Sequence, residues 1–191
     1  MKKITLFFIF IMAVSCGKDP VPKPKALLRL EYPIQKYIEV KTELPFTFEK
    51  NSFASEIDAI KVSRDQESFG LDINYPSLKG TIYLSYKEIH NNELDAYLKD
   101  AQNITQKHAQ KADEIIEQPY DDNTRNVFGM FYEIGGNAAS QSQFYVTDNV
   151  RHFVTGSLYF YTKPNYDSIL PAADYLKKDI QHIMETIQWN E

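Results

Sequence analysis

The chain has 191 residues, a length that suits one domain with a sizeable core. Hydrophobic residues make up 43%, charged residues 25% and aromatic residues 14%, which is the composition of a folded protein and not of a disordered one. The formal net charge of -5 argues against nucleic acid as a partner. A single cysteine excludes an intramolecular disulfide, so the compartment must be inferred from the N-terminus.

Residues 1–15 have the three parts of a secretory signal peptide. Two lysines precede an apolar run, Ile4 to Val14, and the small residue Ser15 follows it. This run is too short for a permanent transmembrane helix, because the core of a bilayer needs about 20 apolar residues. The sequence therefore predicts a signal peptide over residues 1–15.

Cys16 is the candidate lipidation site. The cysteine follows Ala13, Val14 and Ser15, and this order resembles the lipobox of bacterial lipoproteins, in which the thiol takes a diacylglyceryl group and the signal is cut before it. Leucine is usual where this chain has Ala13. The alternative is an ordinary signal peptide followed by a chance cysteine. With two or more acyl chains, such as palmitate, Cys16 would anchor the protein stably to a membrane.

Residues 16–25 are predicted to be an extended tether. Pro20, Pro22 and Pro24 alternate with other residues, which favours a polyproline segment of roughly 3 Å per residue and a stand-off of about 25 to 30 Å. Gly17 permits transfer to the outer membrane under the enterobacterial sorting rule, in which aspartate at this position retains a lipoprotein in the inner membrane. Residues 26–191 are then predicted to form a single α+β domain.

The first half of this domain is predicted to contain strands followed by a long helix. Short runs rich in β-branched and aromatic residues predict strands: Leu28 to Tyr32, Pro45 to Phe48, Ala59 to Ser63, Phe69 to Asn74 and Gly80 to Tyr86. A helix is expected from Asn91 or Asn92 to about residue 117, where Pro119 stops it. Its apolar stripe recurs at three and four residues: Leu94, Tyr97, Leu98, Ala101, Thr105, His108, Ala112, Ile115 and Ile116. If that stripe is core, Leu98→Ala should cost roughly 2 to 5 kcal/mol.

Three more strands and a final helix are predicted in the second half. The strands are Val127 to Ile134, Gln143 to Thr147 and Val150 to Tyr161, with a hairpin turn at Asp148 and Asn149. Ser168 opens the helix and Pro171 lies in its first turn. The apolar stripe of this helix is Ile169, Ala173, Leu176, Ile180, Ile183, Met184 and Ile187. The sequence thus predicts an α+β fold in which an antiparallel sheet is flanked by two long helices.

Few residues form a pattern that indicates chemistry, and no catalytic residue, metal ligand or cofactor site is assigned. His108 lies on an apolar stripe and is expected to be a packing residue. Asp179, His182 and Glu185 are three apart on one helical face, which suits either a metal or acid and base chemistry. The simpler interpretation is a solvated face with weak ion pairs, and we prefer it. We expect the protein not to be an enzyme.

Two further features allow a ligand as well as a plain structural role. The loop from Gly135 to Ser140 consists of small residues that can bring backbone amides near a ligand or simply connect two strands. An aromatic cluster is compatible with a sugar-binding face or with ordinary packing of a sheet. Its members are Phe144, Tyr145, Phe153, Tyr159, Phe160 and Tyr161.

Four stretches of the sequence stand out, and the last two are long and unusual: PKPKALLRLEYP, LPFTFEKN, INYPSLKGTIYLSYK and FYVTDNVRHFVTGSLYFY. In this order and at this spacing they resemble the gliding motility lipoprotein GldD family of Bacteroidota, and the resemblance covers nearly the whole mature chain. It implies a cell-envelope lipoprotein needed for surface gliding, in the machinery associated with type IX secretion. Cys16 is the one residue whose role carries over, as the lipidation site. The predicted order of elements is also similar to the Mog1/PsbP-like fold.

Two functions are therefore open. The first is a non-enzymatic accessory or scaffold protein that faces the periplasm, attached by its lipid to the outer membrane in preference to the inner one. Its expected partners are that membrane and other gliding or secretion proteins, with no nucleic acid. The second is a periplasmic module that binds glycan or peptidoglycan fragments through the Gly135 to Ser140 loop and nearby tyrosines. An exposed apolar patch favours the first, whereas an aromatic-lined pocket favours the second.

The lipid anchor at Cys16 can be tested by substitution. Cys16→Ala removes the thiol that would be acylated, so the variant should accumulate as an unlipidated precursor. Fractionation of cells and incorporation of labelled fatty acid measure the two consequences. Unchanged membrane attachment of the variant would contradict the tether.

Overall fold

The computed structural model describes residues 30–57, 60–63, 68–91, 93–162 and 166–190. The predicted signal peptide, Cys16 and the tether lie outside these residues. The described strands, β1 to β10, are Tyr37–Lys41, Phe46–Asn51, Lys61–Val62, Ser68–Tyr75, Gly80–Glu88, Ala112–Asp122, Val127–Gly136, Ser142–Thr147, His152–Phe160 and Gln188–Trp189. The α-helices are α1, Leu94–His108, and α2, Tyr166–Thr186, and two short 3₁₀ turns cover Pro76–Leu78 and Ala109–Lys111.

The larger sheet has seven strands in the order β3-β4-β5-β9-β8-β7-β6. Every neighbouring pair in it is antiparallel. Strands β5 and β9 are adjacent, so α1 and the meander from β6 to β8 lie between them in sequence. The α+β class and the antiparallel sheet are confirmed, in a molecule that consists mainly of sheet.

A second sheet has three strands in the order β1-β2-β10. Strand β2 lies in its centre, and β10 pairs with it through Gln188 opposite Thr47 and Trp189 opposite Phe46. The sequence did not predict β1 or β10. The predicted strand from Leu28 to Tyr32 is wrong where it is described, because residues 30–32 are not in a strand. Residues 28 and 29 lie outside the described residues.

The core lies between the smaller sheet, α2 and one face of the larger sheet. Phe46 and Phe48 of β2 are 0% and 1% exposed, and Ile73 and Leu158 of the larger sheet are 0% exposed. Helix α2 contacts β2 as well as β7, β8 and β9. Its predicted apolar stripe is confirmed, since the side chains are buried along its whole length: Ile169, Ala173, Leu176, Ile180, Ile183, Met184 and Ile187. The helix begins at Tyr166, two residues before the predicted start.

The predicted end of α1 is wrong. The helix ends at His108, and residues 112–122 form β6 instead. Strand β6 pairs along its length with β7, for example Ile115 with Ile134, and Pro119 lies inside it opposite Met130. The ladder of hydrogen bonds with β7 outweighs the local helical periodicity. Pro119 is tolerated because an edge strand has one side without a sheet neighbour.

Helix α1 packs on the opposite face of the larger sheet from α2. Its Tyr97 ring lies 5.7 Å from the Phe153 ring, and Thr105 Oγ1 donates to Gln143 Oε1 at 2.9 Å. Ala101 and Thr105 are buried, but Leu98 is half-buried. The side chain of His108 lies outside what the structure describes. The stripe of α1 is therefore partly core, and Ile115 and Ile116 do not belong to it.

The two helices should respond differently to loss of a leucine. Leu176→Ala in α2 removes a side chain that is 0% exposed and should lower the free energy of unfolding by about 2 to 5 kcal/mol. Leu98→Ala in α1 should lower it by less than about 2 kcal/mol, because less apolar surface is buried there. Urea unfolding measures both. Equal losses would contradict this difference in packing.

Candidate functional site

A groove of about 810 Å³ lies between the two sheets and is the candidate site. One wall is formed by β1 and the residues after it, and the other by β3, β4 and the segment before β3. The lining residues are Ile38, Glu39, Val40, Lys41, Thr42, Glu43, Leu44, Lys50, Glu56, Ile57, Ile60, Val62, Phe69 and Leu71. Half of these fourteen residues are aliphatic and five are charged.

The groove exposes apolar side chains from both walls. Ile38 of β1 is 46% exposed and Val62 of β3 is 54% exposed. Phe69 of β4 packs at the margin of the core. Large aliphatic side chains that remain exposed on two facing walls are typical of a surface that binds another chain.

Lys50 places a positive charge in the lining of the groove. Its side chain is 4% exposed, and Nζ donates to the carbonyl oxygens of Ala54 and Ser55 at 3.3 and 3.1 Å. No ion pair joins Lys50 to another of the described residues. Two carbonyl acceptors solvate the ammonium group in place of water, which is what makes its burial tolerable.

Strand β1 has β2 as its one strand neighbour within the described residues, which leaves its other backbone edge unpaired there. The Glu49 N–H donates to Thr186 Oγ1 at 3.0 Å, so odd-numbered residues of β2 point away from β1. Because antiparallel strands alternate the direction of their amides, the even-numbered residues of β2 bond β1. Ile38 lies opposite Lys50, so the even-numbered residues of β1 make the hydrogen bonds with β2. The N–H and C=O groups of Glu39 and Lys41 therefore point away from β2.

Asp179 is buried, so the predicted solvated face of α2 is wrong at this residue. Its side chain is 0% exposed. The carboxylate accepts hydrogen bonds from Gln35 Nε2 at 2.9 Å, Tyr37 OH at 3.0 Å and Asn51 Nδ2 at 3.0 Å. Burial raises the pKa of Asp179 above its ordinary value, although the hydrogen bonds from Asn51, Tyr37 and Gln35 act to lower it.

His182 and Glu185 do not converge with Asp179 on a common site. His182 Nε2 lies 2.7 Å from Glu49 Oε2, and the imidazole stacks on the Tyr37 ring with centroids 3.5 Å apart. Glu185 accepts a hydrogen bond from Gln181 Nε2. In the described part of the chain, no three His, Cys, Asp or Glu side chains are arranged to hold a metal ion. These contacts attach α2 to β1, β2 and the segment before β1.

The loop from Gly135 to Ser140 is occupied by its own contacts. Gln141 Nε2 donates to the Ala138 carbonyl at 3.0 Å, and Ser140 Oγ donates to the Ser142 carbonyl at 3.1 Å. Asn137 Oδ1 accepts from the backbone N–H of Tyr166, the first residue of α2, at 3.0 Å. The loop therefore connects two strands and caps α2.

The predicted aromatic cluster is divided between the two faces of the larger sheet. Phe144 lies in the core, where its ring fills the space beside Gly156; a Cβ at Gly156 would lie 2.1 Å from the Phe144 ring. Tyr145 and Phe153 stack on the other face, 5.8 Å apart. On that same face, Tyr159 packs against Tyr83. The six side chains do not line one pocket.

The sequence did not predict the groove, because it did not predict strand β1, which forms one of its walls. Its sequence, Tyr37 to Lys41, alternates apolar Ile38 and Val40 with charged Glu39 and Lys41. That alternation is the usual signal of a half-buried strand. This alternation does not indicate which strand lies opposite, and the second wall of the groove comes from residues 15 or more positions after β1.

Comparison with known families identifies one match over almost the whole chain. The model of the family described as gliding motility lipoprotein GldD matches residues 17–189. No curated protein and no solved structure matches. Among the described helices, none is both long enough and apolar enough to cross a membrane.

The raised pKa of Asp179 predicts a pH dependence of stability. Between the unfolded and folded pKa values, the folded chain binds more protons, so the free energy of unfolding should fall as the pH rises. The Asp179→Asn variant has an amide at this position, and an amide does not titrate. Above about pH 4, the ordinary pKa of an aspartate, the stability of the natural chain relative to that variant should therefore decrease as the pH rises. Urea unfolding at several pH values measures it, and a relative stability that increases with pH would contradict the prediction.

Proposed function

Because the chain belongs to the gliding motility lipoprotein GldD family, we propose that it is a non-enzymatic accessory or scaffold component of the gliding machinery. The family name makes it a gliding-associated lipoprotein of the cell envelope. The proposal adds that it binds other gliding or type IX secretion proteins, and that its lipid on Cys16 lies in the outer membrane of a member of the Bacteroidota.

The observation that carries the scaffold role is the groove beside the free edge of β1. Exposed Ile38 and Val62 offer apolar contact to a partner chain, and the outward amides of Glu39 and Lys41 offer backbone hydrogen bonds. Buried apolar area and strand pairing together are a common basis for binding a peptide segment. The proposed occupant is a protein segment with apolar side chains.

The attachment of the chain before β1 supports an anchor that transmits force to the domain. Tyr32 packs on Tyr175 with ring centroids 5.0 Å apart. Gln35 Nε2 donates to the Tyr175 carbonyl at 3.1 Å as well as to Asp179. The segment that leads to the proposed lipid is thus held on α2 before it enters β1, so a pull on the tether would act directly on the core.

The enclosure of Asp179 supports a non-enzymatic role. A buried acid with a shifted pKa is the usual mark of a catalytic site when it lies in a cleft. Here the carboxylate is 0% exposed and its hydrogen bonds go to Gln35, Tyr37 and Asn51, so it acts as a structural acceptor. The similarity to the Mog1/PsbP-like fold and the glycan-binding alternative stay predictions.

Photo-cross-linking in the native bacterium tests the scaffold role. A photoreactive amino acid at Ile38 in the groove should capture gliding or secretion proteins, identified by mass spectrometry. The matched control is the same amino acid at Val150, which is 68% exposed and lies outside the groove. Capture from position 38 but not from position 150 is expected.

A second variant links the groove to motility. Ile38→Glu places a charge in the apolar lining and should reduce spreading on agar, while the amount of membrane-bound protein stays the same. Normal spreading together with no capture from position 38 would contradict the proposal. An unfolding midpoint of the purified Ile38→Glu variant equal to that of the natural chain shows that the fold is intact.

A further inference from the structure

Strand β6 is an exposed edge of the larger sheet. It spans Ala112–Asp122, and β7 is its sole strand neighbour in the described part of the chain. Every residue from Asp113 to Pro119 is exposed. Ile115 and Ile116 point to opposite faces of the sheet and are each 41% exposed. A long edge with exposed apolar side chains on both faces is a template for pairing with another strand.

The directions of the backbone amides follow from the register. The Ile134 N–H donates to the Gln141 carbonyl, so even-numbered residues of β7 bond on the β8 side. The odd-numbered residues of β7 therefore make their backbone hydrogen bonds with β6. Phe131 lies opposite Gln118, so the residues of β6 that make these bonds are the even-numbered ones. Ile115 and Glu117 consequently direct their N–H and C=O groups away from the sheet.

Pro119 limits how far this edge can be paired. It occupies an odd-numbered, outward-pointing position, so the missing N–H costs no bond with β7. It also removes the donor that an added strand would need there. Continuous pairing is thus confined to the half of β6 that precedes Pro119, around Ile115 and Glu117.

The charge of β6 determines what kind of strand fits this edge. The strand carries five carboxylates, Asp113, Glu114, Glu117, Asp121 and Asp122, and no lysine or arginine. Asp122 pairs with Arg125 at 2.6 Å. None of the other four forms an ion pair within the described residues. A second copy paired over the same half of β6 would bring its own Asp113, Glu114 and Glu117 beside these carboxylates, so like charges disfavour self-pairing.

We infer that β6 binds an extended, basic segment of a partner protein by strand addition at Ile115 and Glu117. The inference rests on the proposed scaffold function and adds the chemistry of one partner. The segment adds backbone hydrogen bonds to Ile115 and Glu117, and its apolar side chains cover Ile115 and Ile116. Its lysine or arginine side chains meet the carboxylates of Asp113, Glu114 and Glu117.

A pair of synthetic peptides tests the binding with the purified mature protein. The probe is a nine-residue peptide in which pairs of lysines alternate with pairs of valines, so that both residue types lie on each face of the added strand. The control is the same peptide with glutamate in place of lysine. The lysine peptide should bind and should protect the Ile115 and Glu117 amides from hydrogen exchange, whereas the control should not. Binding should weaken as salt rises, because the Debye length falls from about 10 Å at 0.1 M to about 3 Å at 1 M. Equal binding of the two peptides would overturn the inference.

Two substitutions at one residue separate backbone pairing from charge. Glu117→Pro removes the outward N–H without removing a bond to β7, and should weaken lysine-peptide binding about tenfold or more while the unfolding midpoint changes little. Glu117→Thr removes the charge but keeps the N–H, so it should weaken binding less and reduce the salt dependence. If Glu117→Pro unfolds the protein, hydrogen exchange of the folded Glu117→Thr variant tests backbone pairing instead. Bound lysine peptide should protect the Ile115 amide, and binding without this protection would overturn the inference. Undiminished binding to a folded Glu117→Pro variant would overturn the inference, as would dimerisation of the natural chain through this edge.

The same variants in the native bacterium separate this inference from the proposed function. If Glu117→Pro cells glide normally and position 38 still captures gliding proteins, strand addition at β6 is wrong and the scaffold role stands. If position 38 captures none and Ile38→Glu cells also glide normally, the scaffold role itself is wrong. Reduced gliding of Glu117→Pro but not Glu117→Thr cells, with capture at position 38 retained, supports both.

Discussion

Helix α2 is buried against both sheets, and the arrangement of the molecule depends on that burial. Leu176, Ile180 and Ile183 are all 0% exposed, and one turn of the same helix also carries Asp179. Apolar burial supplies the driving force. A carboxylate in this position would be strongly unfavourable without partners, and Gln35, Tyr37 and Asn51 supply them. We therefore regard the Asp179 cluster as a source of specificity, since it permits one placement of β1 and β2 on α2.

That placement has a consequence for the surface. With β1 and β2 held on α2, the outer edge of β1 has no strand neighbour among the described residues, and a groove lies between β1 and β4. Proteins usually protect free sheet edges with charges, prolines or short strands. Strand β6 has charges and Pro119 but keeps Ile115 and Ile116 exposed, and β3 is two residues long. Strand β1 has charged Glu39 and Lys41 but keeps Ile38 exposed. Incomplete protection of an edge is consistent with a protein whose role is to bind other chains.

The two helices show how far local periodicity could predict the fold. The stripe of α2 was predicted residue by residue, because each of its members enters the core and strong burial leaves a regular pattern. The stripe of α1 continued too far, since Ala112, Ile115 and Ile116 fit helical spacing equally well. Residues with branched side chains, such as Ile115 and Ile116, also suit a strand, and a partner strand decided between the two. A distant residue, Ile134, is that partner.

The candidate site was less predictable than the fold. Asp179, His182 and Glu185 were found by their spacing, but spacing along a helix does not say which face meets solvent. Tyr37 and Asn51, whose contacts bury Asp179, are more than a hundred residues away in sequence. The groove likewise needs β1 and β4 side by side across the two sheets. Such contacts depend on the whole fold and leave no local pattern.

The sequence by itself determined the family, the composition of a folded acidic domain, most of the strands of the larger sheet and the buried face of α2. These depend on local order along the chain, where side-chain volume, branching and charge act on their neighbours. Only the tertiary structure decided that residues 112–117 are a strand, that Asp179 is enclosed, and that β1 and β6 are left as edges. Each of these outcomes depends on which distant segments share hydrogen bonds and exclude water together, and that competition is settled by the packed molecule as a whole.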